Sequence, residues 1–362
     1  MSREIEKTKV EMSPASRQSA ERAGNGRKAR RGAGFWALIM LVAFALVAQA
    51  CGKAEGETTN AANGGSAAPA NVPVVLNYGF IGTNKLNLPG SAEGWGLHKG
   101  IIQEELKKYG ITEIKLTAFP NGPDQSESLI SGRLDVGSLG DTPAMLARST
   151  GAQTRLITQG SIESIGYLIG KKNGPTKLED LKGKTIATQK GSFHHRYLAG
   201  LLKEKNITDV KIVHLLRVDS EAALARGEID AMTTTGVYAL KQVDQGYPLL
   251  DDATKHPDLI GSSATVVSEA YLKKFPDFPK AWNAARLKAL EDLKTKPEEY
   301  YAFLAEVQGT TVDLVKRSTS INSIKDVPFT EEGIKLLEGT KKFLVEEKLA
   351  EKDFDLQQWI LK

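Results

Sequence analysis

From position 74 onward the chain alternates between short apolar runs and stretches where apolar residues recur every three or four positions. "VVLNYGF", starting at Val74, predicts a strand; "LHKGIIQEELKKYG" predicts a helix with Leu97, Ile101 and Leu106 on one face and Gly110 just past its end. "EIKLTAF" (Glu113 to Phe119) reads as the next strand, and "DQSE" (Asp124 to Glu127) as a cap with a carboxylate three residues on. Further strands are predicted at 134–139, 154–159, 166–170, 184–188 and 211–216. Strands alternating with helices define an α/β protein with largely parallel sheets.

One pattern recurs. "ESLISGRLDVG" (Glu127 to Gly137) and "AALARGEIDAM" (Ala222 to Met232) each end a helix in Gly, add one polar residue, and continue through Leu or Ile and Asp into a strand. Gly132 and Gly227 lie 95 residues apart, a spacing that suits two lobes on one plan, although this helix-to-strand join is also common by chance. A chain of 362 residues exceeds one comfortable core, which favours the two-lobed reading.

Before position 74 the pattern changes. "RKARR" (Arg27 to Arg31) precedes the apolar run "FWALIMLVAFALVA" (Phe35 to Ala48), shorter than the roughly 20 residues of a spanning helix and suited to the apolar region of a signal peptide. "AQAC" follows, with small residues at Ala48 and Ala50 before Cys51, the sole cysteine. This resembles a bacterial lipoprotein signal, residues 1–50, with Cys51 as the acylated first residue of the mature chain. An uncleaved anchor and a plain secretory signal are the alternatives, and Arg30 and Arg31 also raise a twin-arginine signal. Residues 51–73, small and polar, read as a flexible tether.

Charge follows the same division. The net charge of +4 originates in the first 50 residues, which hold 9 Lys and Arg against 4 Asp and Glu; the remainder holds 39 against 40. A nucleic-acid partner loses its electrostatic support. With one cysteine there is no intramolecular disulfide.

Two strand-to-helix joins carry candidate binding chemistry. In "GSLGDTPAML" the strand ends near Leu139, Gly140 permits close approach, Thr142 can cap and Pro143 suits the first helical turn. In "TIATQKGSFHHRYLAGLL" the strand ends near Gln189, and Gly191 and Ser192 open a helix with Leu198, Leu201 and Leu202 on its apolar face. Helix starts at the carboxyl end of a parallel sheet present N–H groups to an anion, the place where open α/β sheets bind ligands. On the local pattern alone, the reading of both joins as ordinary capped helices is favoured.

The order of "FPNGPDQSESLISGRLDVGSLGDTPAML", "LEDLKGKTIATQKGSFHHRYLAGLLKEKNI", "DVKIVHLLRVDSEAALARGEIDAM" and "YLKKFPDFPKAWNAARLKALEDLKTKPEEY" resembles the solute-binding proteins of ABC importers for aliphatic sulfonates, taurine and nitrate. The resemblance implies an α/β fold of the periplasmic-binding-protein type (type II), with mixed, mainly parallel sheets and a hinged cleft. It places one lobe on 74–163 and 262–362 and the other on 164–261, the chain crossing near Tyr167 and returning near Ser262. By the same resemblance, ligand contacts fall on Gly79 and Phe80, on Gly140, Asp141 and Thr142, on Gly191, Ser192, Phe193 and His194, and at the strand end on Thr234 and Thr235. Asp141 sits awkwardly in an anion site; it would receive an amine or, the favoured reading, cap the helix. Thr233 to Thr235 replace an aromatic residue common in relatives, and the loop Ile81 to Gly96 is longer than usual. Trp95 within that loop would lid the cleft or, the safer reading, pack on the first helix.

The implied partners are a small anionic or sulfonate-like solute, a permease with its ATPase, and a membrane reached through the lipid, with the body a monomer on the extracytoplasmic face. No catalytic residues, cofactor or metal are implied. His194 and His195 are adjacent and so point about 100° apart on a helix, a poor joint metal site. No phosphate-binding loop, dinucleotide fingerprint or HExxH motif occurs. A pyrimidine or thiamine precursor or another organic solute, a sensor role, and an enzyme on the same fold are the rival readings, the last opposed by the export leader.

Overall fold

The computed structural model describes residues 72–362. The signal, Cys51 and all of the tether before residue 72 lie outside the described residues. Ten strands form two five-stranded sheets. The strands are β1 (Val75–Ile81), β2 (Glu113–Phe119), β3 (Val136–Gly140), β4 (Thr154–Thr158), β5 (Gly166–Gly170), β6 (Lys184–Thr188), β7 (Val210–His214), β8 (Ala231–Thr235), β9 (Leu249–Asp252) and β10 (Ser263–Ser268). Among the described residues, thirteen α-helices accompany them. They are α1 (Ala92–His98), α2 (Ile101–Lys107), α3 (Gly122–Ile130), α4 (Asp141–Ser149), α5 (Phe193–Glu204), α6 (Arg217–Arg226), α7 (Gly236–Asp244), α8 (Glu269–Lys274), α9 (Phe278–Thr295), α10 (Pro297–Gln308), α11 (Val312–Ser318), α12 (Glu331–Glu346) and α13 (Leu356–Trp359).

The first sheet runs β2-β1-β3-β10-β4 and the second β7-β6-β8-β5-β9. The two orders correspond strand for strand. In each sheet a central strand, β1 or β6, pairs in parallel with both neighbours, and an antiparallel strand, β10 or β5, joins the last two members. Each sheet thus has two parallel and two antiparallel ladders. The antiparallel strands follow the two passages of the chain between sheets, where direction reverses. The passages themselves pair through a bridge between Ser164 and Gly261.

The recurring sequence has a structural counterpart. Gly132 and Gly227 each follow a helix with φ of 73° and 74°, a left-handed turn that glycine adopts without a Cβ penalty. Three residues on, the two aspartates do the same work. Asp135 Oδ2 accepts from the Asn77 backbone and amide N–H groups, tying β3 to β1, and Asp230 Oδ2 accepts from the Thr185 N–H, tying β8 to β6.

Both faces of each sheet are covered, as parallel strands require. Alternation in β1 puts Leu76, Tyr78 and Phe80 on one face, in a core shared with Ile102, Leu106 and Trp282; Leu129, Met145, Leu156 and Trp359 fill the other side. The second sheet is packed by Leu198, Leu201 and Tyr197 on one face and by Leu224, Ile229 and Met232 on the other.

Local differences from the sequence reading have physical causes. The helix expected through Leu97 to Gly110 is two helices, α1 and α2, because Gly100 takes φ of 76° and caps the second. The cap of α3 is Asn121, whose Oδ1 accepts from the Asp124 N–H at 2.8 Å, one turn before the expected "DQSE". Trp95 packs in the core against Tyr300 and Phe303 and donates to Asp292 at 2.8 Å, so it is not a lid. Strands β9 and β10 are not singled out by the sequence pattern. Among the described residues, no helix is long and apolar enough to cross a membrane.

Candidate functional site

A cavity of about 420 Å³ lies between the two sheets, at the carboxyl ends of their parallel strands. The first sheet contributes Ile81 to Asn84 after β1 and Pro120 after β2, with Val307 and Gln308 from the end of α10. From the second come Gln189 after β6, Leu216 to Asp219 after β7, Thr233 to Thr235 ending β8, His194 on α5 and Tyr238 on α7. Helices α6 and α7 both start at this wall, so their unpaired N–H ends and positive dipole ends face it.

The polar groups fall into two sets. The Thr234 hydroxyl, in a residue 2% exposed, and His194 Nε2 are buried without hydrogen-bond partners. A buried unpartnered donor or acceptor costs about 1–3 kcal/mol, and both of these atoms belong to residues that line the cavity. Burial pushes His194 down to about 4, leaving it neutral near pH 7. Arg217 supplies the cation. Its guanidinium stacks 3.8 Å from the Tyr238 ring centroid and donates to Glu221 at 2.8 Å, which fixes its plane. Around these groups the wall is apolar, with Ile81 and Val218 37% and 63% exposed, one from each side.

Thr233 donates to Thr188 and Thr235 donates to the Ile165 carbonyl; of the three hydroxyls only that of Thr234 is unpartnered. The remaining expected contacts lie elsewhere. Phe80 is core, and Gly79 backs onto Leu134 and Gln125. Gly140 pairs with Ser263 in the first sheet. Asp141 and Thr142 are buried, and Thr142 sits inside α4 rather than capping it. The Asp141 carboxylate accepts from the Thr142 and Ser262 N–H groups and faces Arg196, so its oxygens are engaged by the protein itself. Gly191 abuts Pro123 of α3, while Ser192 and Phe193 are buried, Phe193 in the second-sheet core. The two helix starts expected to face each other across a cleft are therefore linked directly, by Arg196 donating to Thr142 at 3.1 Å.

Arg217, Tyr238, Gln189 and Asn84 escape a sequence reading. The signal in "LLRVDSEAAL" is an arginine at the first position of a helix directly after a strand, a place where a cation does not serve the helix dipole.

A larger depression, about 620 Å³, lies at Lys341 and Phe354. Glu338, Asp353 and Asp355 surround its single lysine, the wrong sign for an anion. Among the described residues no cluster of His, Cys, Asp or Glu is placed to hold a metal.

The family profile described as "NMT1/THI5 like" matches residues 107–300, and the chain belongs to that family. It is 27% identical over 261 residues to the "Putative aliphatic sulfonates-binding protein" of Escherichia coli (strain K12), covering 70% of this chain and 81% of that one. The solved alkanesulfonate-binding protein SsuA from Xanthomonas axonopodis pv. citri, bound to MOPS, superposes with a TM-score of 0.67 at 23% identity, over 81% of this chain and 99% of that one. The same fold carries the desulfurization enzyme DSZB, at a TM-score of 0.62 and 17% identity over 80% and 96% of the two chains. The fold is that of the periplasmic binding proteins.

Proposed function

We propose that this chain is the solute-binding component of an ABC importer, capturing a small organic anion of the sulfonate type between its two lobes and presenting it to a permease and ATPase. The observation that carries the reading is the cavity between the sheets, with an unpartnered Thr234 hydroxyl and His194 nitrogen, the cation of Arg217 and two helix starts. The names of the relatives support the same solute class. An organic body is favoured over nitrate by the size and lining of the space. About 420 Å³ falls within the roughly 300–1,000 Å³ range of clefts that hold organic ligands, and Ile81, Leu216, Val218 and Val307 have no use for a small inorganic ion.

In this reading the signal and Cys51 deliver and anchor a monomeric body on the extracytoplasmic face, lobe 2 spans 164–261 and the remainder of 74–362 forms lobe 1. The chain acts as a binder and not an enzyme. Ser192 and His194 are neighbours, but the Ser192 hydroxyl donates to the Gln189 carbonyl at 2.6 Å, away from His194, so they do not form a nucleophile and base pair.

Calorimetric titration of the full chain, stripped of carried-over ligand by partial unfolding, tests the proposal against alkanesulfonates, taurine, nitrate, pyrimidine precursors and riboflavin. Micromolar or tighter binding of a sulfonate, lost on Arg217→Ala, is the expected result. Silence from a folded, emptied chain would remove sulfonate capture.

A further inference from the structure

The two walls of the cavity differ in kind. Its charged lining residues, Arg217 and Asp219, both belong to the first turn of α6 on the second-sheet side, where α7 also starts. Asp219 stands where a carboxylate serves the helix dipole, which leaves the Arg217 guanidinium and the helix starts as the complement of an anion. The first-sheet wall carries no charge. Ile81, Pro120 and Val307 are its apolar members and Thr83, Asn84 and Gln308 its polar ones, with the Asn84 amide donating to Leu88 of its own loop at 2.8 Å. Lys85, the one charged residue between Ile81 and Gly90, is exposed and does not line the cavity. An anion thus has its partner on one wall, while apolar surface stands on both. Ile81 at the end of β1 is 37% exposed, and Val218, beside Arg217 on the opposite wall, 63%. Val307 is held in place by packing on the first-sheet core.

We propose that the two walls read different parts of the solute: the second-sheet wall holds the anionic head at Arg217, while Ile81 and Val307 select an apolar chain long enough to reach them past Val218. The preferred solute is then a monoanion with an extended hydrocarbon body, not a short or zwitterionic one. The inference rests on the solute-binding reading of the same site and adds the length and polarity of the body as the features selected. Each methylene moved from water onto apolar side chains strengthens binding until the chain has spanned the space. An ammonium in place of the terminal methyl group would lose its water against Ile81 and Val307, on a wall with no carboxylate to receive it.

The experiment is calorimetric titration of the full chain, emptied by partial unfolding, with 1-alkanesulfonates from methane- to octanesulfonate in Tris buffer. Taurine is set against 1-propanesulfonate, which has the same chain length but ends in a methyl group in place of the ammonium. Kd is expected to fall about fourfold for each methylene added through the middle of the series, and taurine to bind about tenfold more weakly than propanesulfonate. Ile81→Asn and Val218→Asn, at exposed positions and checked for folding by melting temperature, are each expected to flatten the slope. Arg217→Ala is expected to weaken every member by a similar factor and keep the slope. A Kd independent of chain length, a slope that survives in both asparagine variants, or taurine binding as tightly as propanesulfonate would overturn the inference while leaving sulfonate capture intact. No binding of any member by folded, emptied protein would overturn both.

Discussion

Arg196 on α5 lies 3.7 Å from the Asp141 carboxylate at the start of α4, and neither side chain has any exposure to solvent. The pair ties the two sheets together. Arg196 also donates to the Thr142 hydroxyl and to the carbonyls of Asp258 and Ile260, while Asp141 accepts from the Ser262 N–H at 2.8 Å. Asp258, Ile260 and Ser262 all belong to the passage that returns the chain to the first sheet. A charge sequestered in this way is tolerated because every neighbour answers it.

Removing one member leaves the other buried and uncompensated. Arg196→Met is therefore expected to cost about 3–5 kcal/mol in chemical denaturation, and Asp141→Asn a similar amount. The double variant should cost less than the sum of the two, because neither charge is then stranded. A single variant within about 1 kcal/mol of the parent would show that the network is not a stabilising joint.

Thr234→Val separates stability from binding. The hydroxyl has no hydrogen-bond partner within the protein, so an apolar group of the same shape is expected to leave the melting temperature unchanged or raise it slightly. Solute affinity should nevertheless fall, by about 1–3 kcal/mol, as the donor to the bound anion is lost. Unchanged affinity, measured by the same titration used for the parent, would remove Thr234 from the site.

How much of this was legible in the sequence depends on whether the cause is local. The strands at 154–158, 166–170 and 184–188 agree with their apolar runs because each is bounded by polar or turn residues. The repeated Gly and Asp of "SGRLD" and "RGEID" were visible as a pattern, and their work in joining β3 to β1 and β8 to β6 follows from it. The antiparallel β10 was not visible, because its place between β3 and β4 is set by a passage from the other sheet. Asp141 illustrates the same limit. Its sequence position suggests a helix cap, and it does accept from the adjacent Thr142 N–H, but its other partners, Ser262 and Arg196, are more than fifty residues away. Arg217 reads as one charge on a solvated helix until β7 and α7 bring Tyr238 beneath it.

Arg317 on α11 forms a two-pronged pair with Asp244 on α7, at 2.7 and 2.9 Å, joining a helix packed on the first-sheet core to the helix that carries Tyr238. The pair is exposed and therefore weak and screened by salt. Arg317→Ala is expected to leave the melting temperature nearly unchanged but to weaken solute binding at low ionic strength, with the difference from the parent vanishing at high salt. An affinity loss that is independent of salt would argue against an electrostatic clasp.

Acid stability offers a test of the packing of α1 around Trp95. Burial pushes the Asp292 carboxyl up, but hydrogen bonds from Lys296 and from the Trp95 indole more than offset this and hold it below its ordinary value. A depressed carboxyl favours the fold while ionised. Its contribution is complete above the ordinary carboxylate value and is lost as pH falls through the lower folded-state value. The melting temperature of the parent is thus expected to be level down to about pH 5 and to drop below about pH 4. Asp230 and Asp252 are held low as well, so the informative quantity is the difference between variants. Trp95→Phe keeps an aromatic ring against Tyr300 and Phe303 but removes the donor, and should lose more stability at neutral pH than at pH 3 or so. An equal loss at both would show that the indole acts by packing alone.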